Sequence, residues 1–272
     1  MVNQKFALVT GATSGIGREL AKLLAKDQYN LVIVARSQPE LEQTASELQN
    51  EYGIEVITIA KDLFIKESAF ELYEEINGRG IVIDILVNDA GQGQYGEFVE
   101  TDIYRELDII QLNISAYVVL CKFFLKEMVA RNEGKILNVS SIAGEMPGPL
   151  QSVYHATKAF VTSFSEGVRN EIKDTNVTIT LLEPGVTDTG FFDKADMNDA
   201  RMVKEGPRAD PADVAKDGYE ALMAGKDKVI SGFMNKVMTW TSNIMTDTRN
   251  AGNMHKMMEP VADDKKDPES TN

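Results

Sequence analysis

Residues 6–17 read FALVTGATSGIG. A short apolar run, Phe6–Thr10, enters a turn carrying three glycines, Gly11, Gly15 and Gly17. Beyond the turn Ile16, Leu20, Leu23 and Leu24 repeat at i, i+4, i+7 and i+8, the spacing of one helical face. Glycine permits the tight turn and lets backbone approach a pyrophosphate closely. The helix that follows offers unpaired N–H groups and a partial positive charge to the same anion. Gly11, Thr13, Ser14, Gly15, Ile16 and Gly17 are therefore the candidate phosphate cradle. The spacing is GxxxGxG, and its place after the first strand is the context the motif requires.

The same alternation continues along the chain. Strand candidates are Phe6–Thr10, Leu31–Ala35, Val56–Ala60, Ile83–Asn88, Lys135–Ser140, Val177–Glu183 and Lys228–Ser231. LVIV, DILV and TITLL are apolar on successive residues, as in strands covered on both faces. Amphipathic helical patterns lie between them, such as Leu41, Ala45 and Leu48. The expected fold class is α/β, a Rossmann-like doubly wound parallel sheet of about seven strands with helices on both faces. Residues 1–231 read as a single dinucleotide-binding catalytic domain, 232–258 as an amphipathic helical extension, and 259–272 as a disordered tail. In the extension Phe233, Val237, Trp240 and Ile244 share a face, with Met234, Met238 and Met245 near it. That face packs on the body or on a second subunit, or it forms a Met-rich cap over a cleft.

Composition narrows the partners. The 272 residues are 43% hydrophobic, enough for a core without staples, and the one cysteine, Cys121, excludes an internal disulfide. A reducing cytoplasmic setting is expected. The net charge of -14 opposes nucleic acid and anionic membrane surfaces, and obliges an anionic ligand to find local positive potential. No stretch approaches the about 20 apolar residues of a membrane span. His155 and His255 form no cluster with metal-ligand spacing, and no G-x-S-x-G turn of a serine hydrolase is present.

The end of the second strand, VIVARS, selects between nucleotides. An acid there holds ribose hydroxyls, whereas a base holds a 2′-phosphate. Ala35 stands where the acid would be and Arg36 follows, which favours NADP(H) over NAD(H); the alternative is a solvated surface arginine. After the third strand, Asp62 either accepts from the adenine amino group, with Leu63 packing nearby, or caps the next helix.

Residues 154–158 read YHATK. Tyr154 and Lys158 share a helical face, and of eight tyrosines only this one has lysine four residues on. A phenol with a pKa near ~10 is a poor proton donor at neutral pH. An adjacent ammonium is expected to pull that pKa down and make Tyr154 a usable general acid or base. Ser140 and Ser141 end the fifth strand, and a hydroxyl there either binds a substrate oxygen or caps a turn.

Together these pieces resemble the short-chain dehydrogenase/reductase family in its compact single-domain form, over about residues 5–231. The resemblance rests on TGATSGIG at 10–17, Asp62, NDAG at 88–91, Asn113 in QLNIS, SSIAG at 140–144, YHATK at 154–158 and PGVTDT at 184–189. It implies that Tyr154 donates and accepts the proton while Lys158 tunes it and holds the nicotinamide ribose. The thirteen-residue interval to the tyrosine selects Ser141 over Ser140. Asn113 is implied in a water-linked proton relay behind Lys158. Asn88, Ala90 and Gly91 match the family turn, and Pro184, Gly185, Val186 and Thr187 are implied along the nicotinamide, with Thr189 near the phosphates. Asp89 stands where the family usually carries asparagine.

The resemblance implies an oxidoreductase that interconverts a carbonyl and an alcohol by hydride transfer, working as a homodimer or homotetramer. A non-catalytic NADP(H)-sensing protein is the alternative of another class, and a sugar epimerase or dehydratase using the same Tyr–Lys pair is the rival enzyme. The loop 190–207, with Phe191, Phe192 and Met197, is expected over a small-molecule substrate; those residues suit an apolar ligand or simple packing. Phe160, Val161 and Phe164 suit a subunit interface or the core.

Overall fold

Valine, isoleucine and leucine fill consecutive strand positions, and helices cover both faces of the sheet they build. The computed structural model describes residues 5–242 and 244–261. The strands are β1 (Phe6–Thr10), β2 (Asn30–Ala35), β3 (Val56–Ala60), β4 (Ile83–Asn88), β5 (Gly134–Val139), β6 (Val177–Glu183) and β7 (Lys228–Ile230). All pair in parallel, in the order β3-β2-β1-β4-β5-β6-β7. Each expected strand is present with ends within a residue. The expected tail extends beyond the described residues, which stop at Val261.

Between the strands run α1 (Gly15–Lys26), α2 (Gln38–Tyr52), α3 (Ser68–Gly78), α4 (Ile103–Ile110), α5 (Tyr117–Arg131) and α6 (Ser152–Glu171). Single turns α7 (Phe191–Lys194) and α8 (Arg201–Lys204) and the helix α9 (Pro211–Met223) precede β7. Helices α10 (Phe233–Ser242) and α11 (Asp247–Met258) follow it. Successive strand residues point to opposite faces. Leu8, Val32, Leu86 and Ile136 therefore meet Leu72, Leu120, Phe124 and Val161 on one side. Ala7, Val9, Leu31 and Ile33 meet Leu20, Leu24, Leu41 and Val214 on the other.

A π-helical segment, Gln111–Ala116, joins α4 to α5. The continuous helix Ile103–Arg131 is long and apolar enough to cross a membrane by length and composition. This corrects the expectation that no stretch approaches a membrane span; its uncharged run is bounded by Asp108 and Lys122. Its inward residues Leu112, Ala116, Leu120, Phe124 and Met128 are buried in the core.

The face of α10 read from sequence lies open: Phe233 is 76% exposed and Trp240 66%. The opposite edge of the same helix turns Met238 toward the cavity described below. In α6, Val161 is core, and Phe160 is partly exposed and stacked on Phe164 at 5.9 Å between ring centroids.

A charged cluster ties the carboxyl end of β6 to the start of β7. Glu183 is fully buried, with its Oε1 3.0 Å from Lys228 Nζ, and Lys228 also bonds Glu145 of the 3₁₀ turn Ile142–Glu145. Thr162 donates to the same Glu183 oxygen at 3.1 Å. Burial pushes the Glu183 carboxyl up to about 7; Glu145 adds to the rise, and Lys228 opposes it. A carboxyl with a raised folded-state pKa destabilises the fold as pH rises through that value. Lys228→Met leaves two carboxylates without their cation. It is expected to cost about 3 kcal/mol at pH 8 and clearly less at pH 6, read from urea unfolding midpoints at the two pH values.

Candidate active site

The glycine turn has no room for side chains. Gly11 and Gly15 take φ of +72° and +56°, the left-handed region that favours glycine. A Cβ on Gly15 would fall 2.9 Å from Thr189 Cγ2, and one on Gly17 would fall 2.6 Å from both Asp89 Oδ2 and Gly11 O. Ser14 precedes α1 without a side-chain capping bond, and the first turn of α1 holds no acid. The Thr10 hydroxyl accepts the Asp89 and Ala90 N–H groups at 3.1 and 3.2 Å, fastening the turn after β4 to the end of β1.

A cavity of about 620 Å³ opens at this carboxyl edge of the sheet. Gly11, Thr13, Ser14, Gly15 and Ile16 line one part of it. Arg36, Asp62 and Leu63 line another, beside Ala90 and Gly91. Ser141, Tyr154 and Lys158 meet Pro184, Gly185, Val186, Thr187 and Thr189 across it. Three expected residues lie behind the wall. Gly17 packs under Asp89. Asn88 is buried and donates to Cys121 Sγ at 3.2 Å and to Asn138 Oδ1 at 3.3 Å. Asn113 sits in the π segment, a helix form frequent at functional sites. Its amide donates to Gln92 O and Thr157 Oγ1 and accepts the Gln92 N–H.

The residues present fit a dinucleotide: a cradle that a Cβ would fill, open N–H groups at a helix start, and Arg36 at the end of β2. Asp62 does not cap α3, which starts at Ser68; its Oδ1 accepts the Phe64 N–H at 3.1 Å in a local turn. The Arg36 guanidinium lies 5.4 Å from the centre of the Phe64 ring, and Arg105 lies 5.1 Å from it.

Ser140 and Ser141 divide their tasks. Ser140 is buried, donates to Lys158 O at 2.9 Å and pairs with Thr162. Ser141 accepts the Ala143 N–H at 3.1 Å and sits beside the Tyr154 phenol. Lys158 is buried, with Nζ 5.8 Å from the centre of the Tyr154 ring, and donates to Val139 O at 3.0 Å. A Cβ on Gly91 would stand 3.4 Å from both Asn113 Oδ1 and Lys158 Nζ, so this glycine lies between the two side chains.

The electrostatics correct one expectation. Burial drives Tyr154 up to about 12, Ser141 opposes the rise and Asp89 adds to it. The expected lowering by Lys158 does not prevail, because burial of the phenol is the largest influence on it. Tyr154 is thus a neutral phenol at pH 7, ready to give a proton. Burial brings Lys158 down to about 8, and Asp89 works against that fall. Asp89 itself is raised to about 7 by burial, against the pull of Lys158 and a bond from the Gly17 N–H. His155 is buried with Nδ1 2.9 Å from Met146 O, and burial lowers its pKa.

Sequence reading missed several lining residues. Phe64, Gln92 and Gln151 carry no motif of their own. Met146, Met202 and the i, i+4 pair Met254 and Met258 lie far apart in the chain and converge through the fold. Phe191, Phe192 and Met197 of the expected loop line the cavity, and the Phe191 ring centre lies 5.0 Å from that of Tyr154.

Comparisons with known proteins agree with this geometry. The short chain dehydrogenase family model matches residues 5–200. A very-long-chain 3-oxoacyl-CoA reductase of Laccaria bicolor is 37% identical over 181 residues, covering 65% of this chain and 53% of that protein. The very-long-chain 3-oxoacyl-CoA reductase-A of Danio rerio is 34% identical over 248 residues, covering 89% of this chain and 74% of that one. The chain thus spans about half to three quarters of the length of these relatives. A short-chain dehydrogenase from Sphingobium yanoikuyae in complex with NADPH superposes with a TM-score of 0.79 at 26% identity, covering 96% of this chain and 99% of that one. The chain belongs to the short-chain dehydrogenase family, within the larger class of Rossmann-like dinucleotide-binding folds.

The Asp89 carboxylate lies under the phosphate turn and takes the Gly17 N–H. As pH rises through about 7 it gains negative charge, and through about 8 Lys158 loses positive charge. Both changes oppose an anionic nucleotide. NADPH binding, followed by fluorescence, is expected to weaken between pH 6 and 9. Asp89→Asn should remove the lower limb and bind about three- to tenfold more tightly than the parent at pH 8.

Proposed function

We propose that this protein is an NADP(H)-dependent oxidoreductase that reduces a carbonyl to an alcohol, with Tyr154 as the proton donor. The observation that carries the proposal is the convergence of Ser141, Tyr154 and Lys158 with the glycine turn on one cavity. The bound nucleotide would supply the hydride. Ser141 and Tyr154 hold the substrate oxygen from two sides, and the Tyr154 phenol releases its proton to that oxygen as charge develops. A neutral phenol is the form this direction needs. Lys158 stands behind the tyrosine and binds the nicotinamide ribose, with its charge stabilising the phenolate that forms. Asn113 acts as a positioning residue: it ties the 91–92 backbone to Thr157, whose hydroxyl donates to Tyr154 O at 2.7 Å. A water-linked relay from Lys158 would pass the open side of Gly91.

NADP(H) is proposed over NAD(H). Ala35 offers no carboxylate to the ribose, and Arg36 is stacked at the rim with Lys61 also lining the cavity. The working unit is proposed to be a homo-oligomer, since Ile103, Tyr104 and Leu107 form an exposed apolar face on α4. A reducing, cytoplasmic setting suits the free, buried Cys121.

Tyr154→Phe removes the proton and keeps the ring. Steady-state turnover on a responsive carbonyl should fall roughly a hundredfold or more, while NADPH affinity stays within about twofold; a variant with full turnover sinks the assignment. Arg36→Ala tests the nucleotide. Its NADPH affinity should weaken about tenfold or more, with NADH affinity little changed, so equal losses for both nucleotides would remove Arg36 from the 2′-phosphate.

A further inference from the structure

Glu145, Lys228 and Glu183 stand behind the cavity wall, and the reaction as described gives them no task. Glu183 is fully buried. A buried ion cluster can often be replaced by well-packed apolar side chains without loss of stability, so stability alone does not account for this one. Its place in the fold points to a second role.

Ser141 is the residue that opens the 3₁₀ turn Ile142–Glu145, and this turn is fastened to β6 at both ends. At its start, Pro184 O accepts the Ile142 N–H at 3.0 Å and the Ser141 hydroxyl at 3.4 Å. At its end, Glu145 bonds Lys228, whose Nζ is also 3.0 Å from Glu183 Oε1. Glu183 and Pro184 are neighbours in sequence, so both fastenings meet on one stretch of backbone. The same Glu183 oxygen accepts the Thr162 hydroxyl at 3.1 Å. Thr162 lies on α6, the helix that carries Tyr154 and Lys158. One carboxyl therefore joins the Ser141 turn, the Tyr154 helix and the Pro184–Gly185 wall of the cavity.

We propose that Lys228 and Glu183 are positioning residues for the reduction: acting through Glu145 and Thr162, they set the separation between the Ser141 hydroxyl and the Tyr154 phenol. Those two groups must grip a single substrate oxygen. Without the cation the two carboxylates repel, Glu145 leaves Glu183, and the turn carries Ser141 away from Tyr154. A misplacement of about 1 Å at reacting groups costs on the order of a hundredfold in rate. The glycine cradle and Arg36 follow β1 and β2, away from the clamp, so nucleotide binding does not depend on it. Among the described residues, the charged groups that face Glu183 are Glu145 from the turn and Lys228 from β7, while α6 presents the Thr162 hydroxyl. As pH rises through about 7, Glu183 loses its proton and sets a second carboxylate against the one ammonium, which loosens the same clamp.

This inference rests on the carbonyl-reductase reading, and the test separates the two. Turnover of a responsive carbonyl is measured on the full-length protein with saturating NADPH, at a temperature where circular dichroism shows each variant folded. In Lys228→Met, kcat and kcat/KM should fall together by about tenfold or more, while NADPH affinity stays within about threefold. Lys228→Arg keeps the cation and should restore most of the loss. Glu183→Gln keeps the size and cannot ionise, so its kcat should decline less than the parent's as pH rises through about 7. Parental kcat in folded Lys228→Met overturns the proposal, as does a loss that Lys228→Arg leaves unrestored. Should Lys228→Met fail to fold, the Glu183→Gln profile decides, and a profile like the parent's overturns the proposal. Absence of turnover by the parent on every carbonyl would overturn the reductase reading instead. Amide hydrogen exchange then decides the clamp by itself: faster exchange at Ile142 and Gly144 in Lys228→Met, with β1 and β2 unchanged, upholds it, and parental exchange at those two amides overturns it.

Discussion

The close approach of three backbone segments at the β1–β4 junction governs the rest of the molecule. Gly17 must pass within contact of Gly11 O and the Asp89 carboxyl, and the Thr10 hydroxyl must reach the two N–H groups after β4. Only glycine meets the first condition, and only a short hydroxyl side chain meets the second without filling the cleft. Once these are met, α1 starts at the mouth of the sheet with no side-chain cap over its first turn, and of that turn's N–H groups Gly17's goes to Asp89. The strand order reverses at the same point, β1 passing to β2 on one side and to β4 on the other. A crevice there follows from topology, because the connections leave in opposite directions. The glycine turn, Arg36, Asp62, Ala90, Gly91 and Ser141 are all placed at or just beyond strands ending at this edge.

The reaction centre is rigid for a related reason. Tyr154 and Lys158 lie on α6, which is fastened at several levels. Ser140 and Thr162 tie it to the ends of β5 and β6, and Lys158 Nζ reaches back to β5. Thr157 links it to Asn113 in the π segment of the neighbouring helix. The extra residue of that segment lets Asn113 turn toward the 91–92 backbone when a regular helix would carry it past. Polar groups so deeply buried are tolerated because nearly every one is paired. Inside the cavity wall the Nε2 atoms of Gln151 and His155 are exceptions.

Much of the fold was legible because burial on both faces leaves runs such as LVIV and TITLL, which no exposed strand would carry. The Tyr154–Lys158 pair was legible because i and i+4 must share a helical face. The choice of Ser141 over Ser140 needed the family interval, and the structure gives it a physical basis: Ser140 is occupied by Lys158 O and Thr162. Features that depend on tertiary solvation were illegible. Proximity of an ammonium suggested an acidified Tyr154, yet burial outweighs it, and Asp89 acts in the same direction as burial. The apolar stripe of α10 suits the body, a second subunit or a cap over the cleft; in the single chain Met238 lines the cavity while Phe233 and Trp240 are open. Periodicity names a face without saying which neighbour receives it.

The acidic balance of the chain sharpens how an anion is received. With a net charge of -14, the global field works against a dinucleotide phosphate, so attraction has to be local. The start of α1, Arg36 at the exposed rim and the buried Lys158 in the floor provide it, the last of them where solvent screening is weakest. Asp89 works against all three, yet it is raised to about 7 and therefore poised between neutral and charged near the working pH. Asparagine in its place would keep the bond from Gly17 without the charge. The acid thus adds no contact the turn lacks. What it adds is a proton-linked adjustment beneath the phosphate cradle that also steadies the charge on Lys158, coupling nucleotide affinity to the protonation of the centre that uses it.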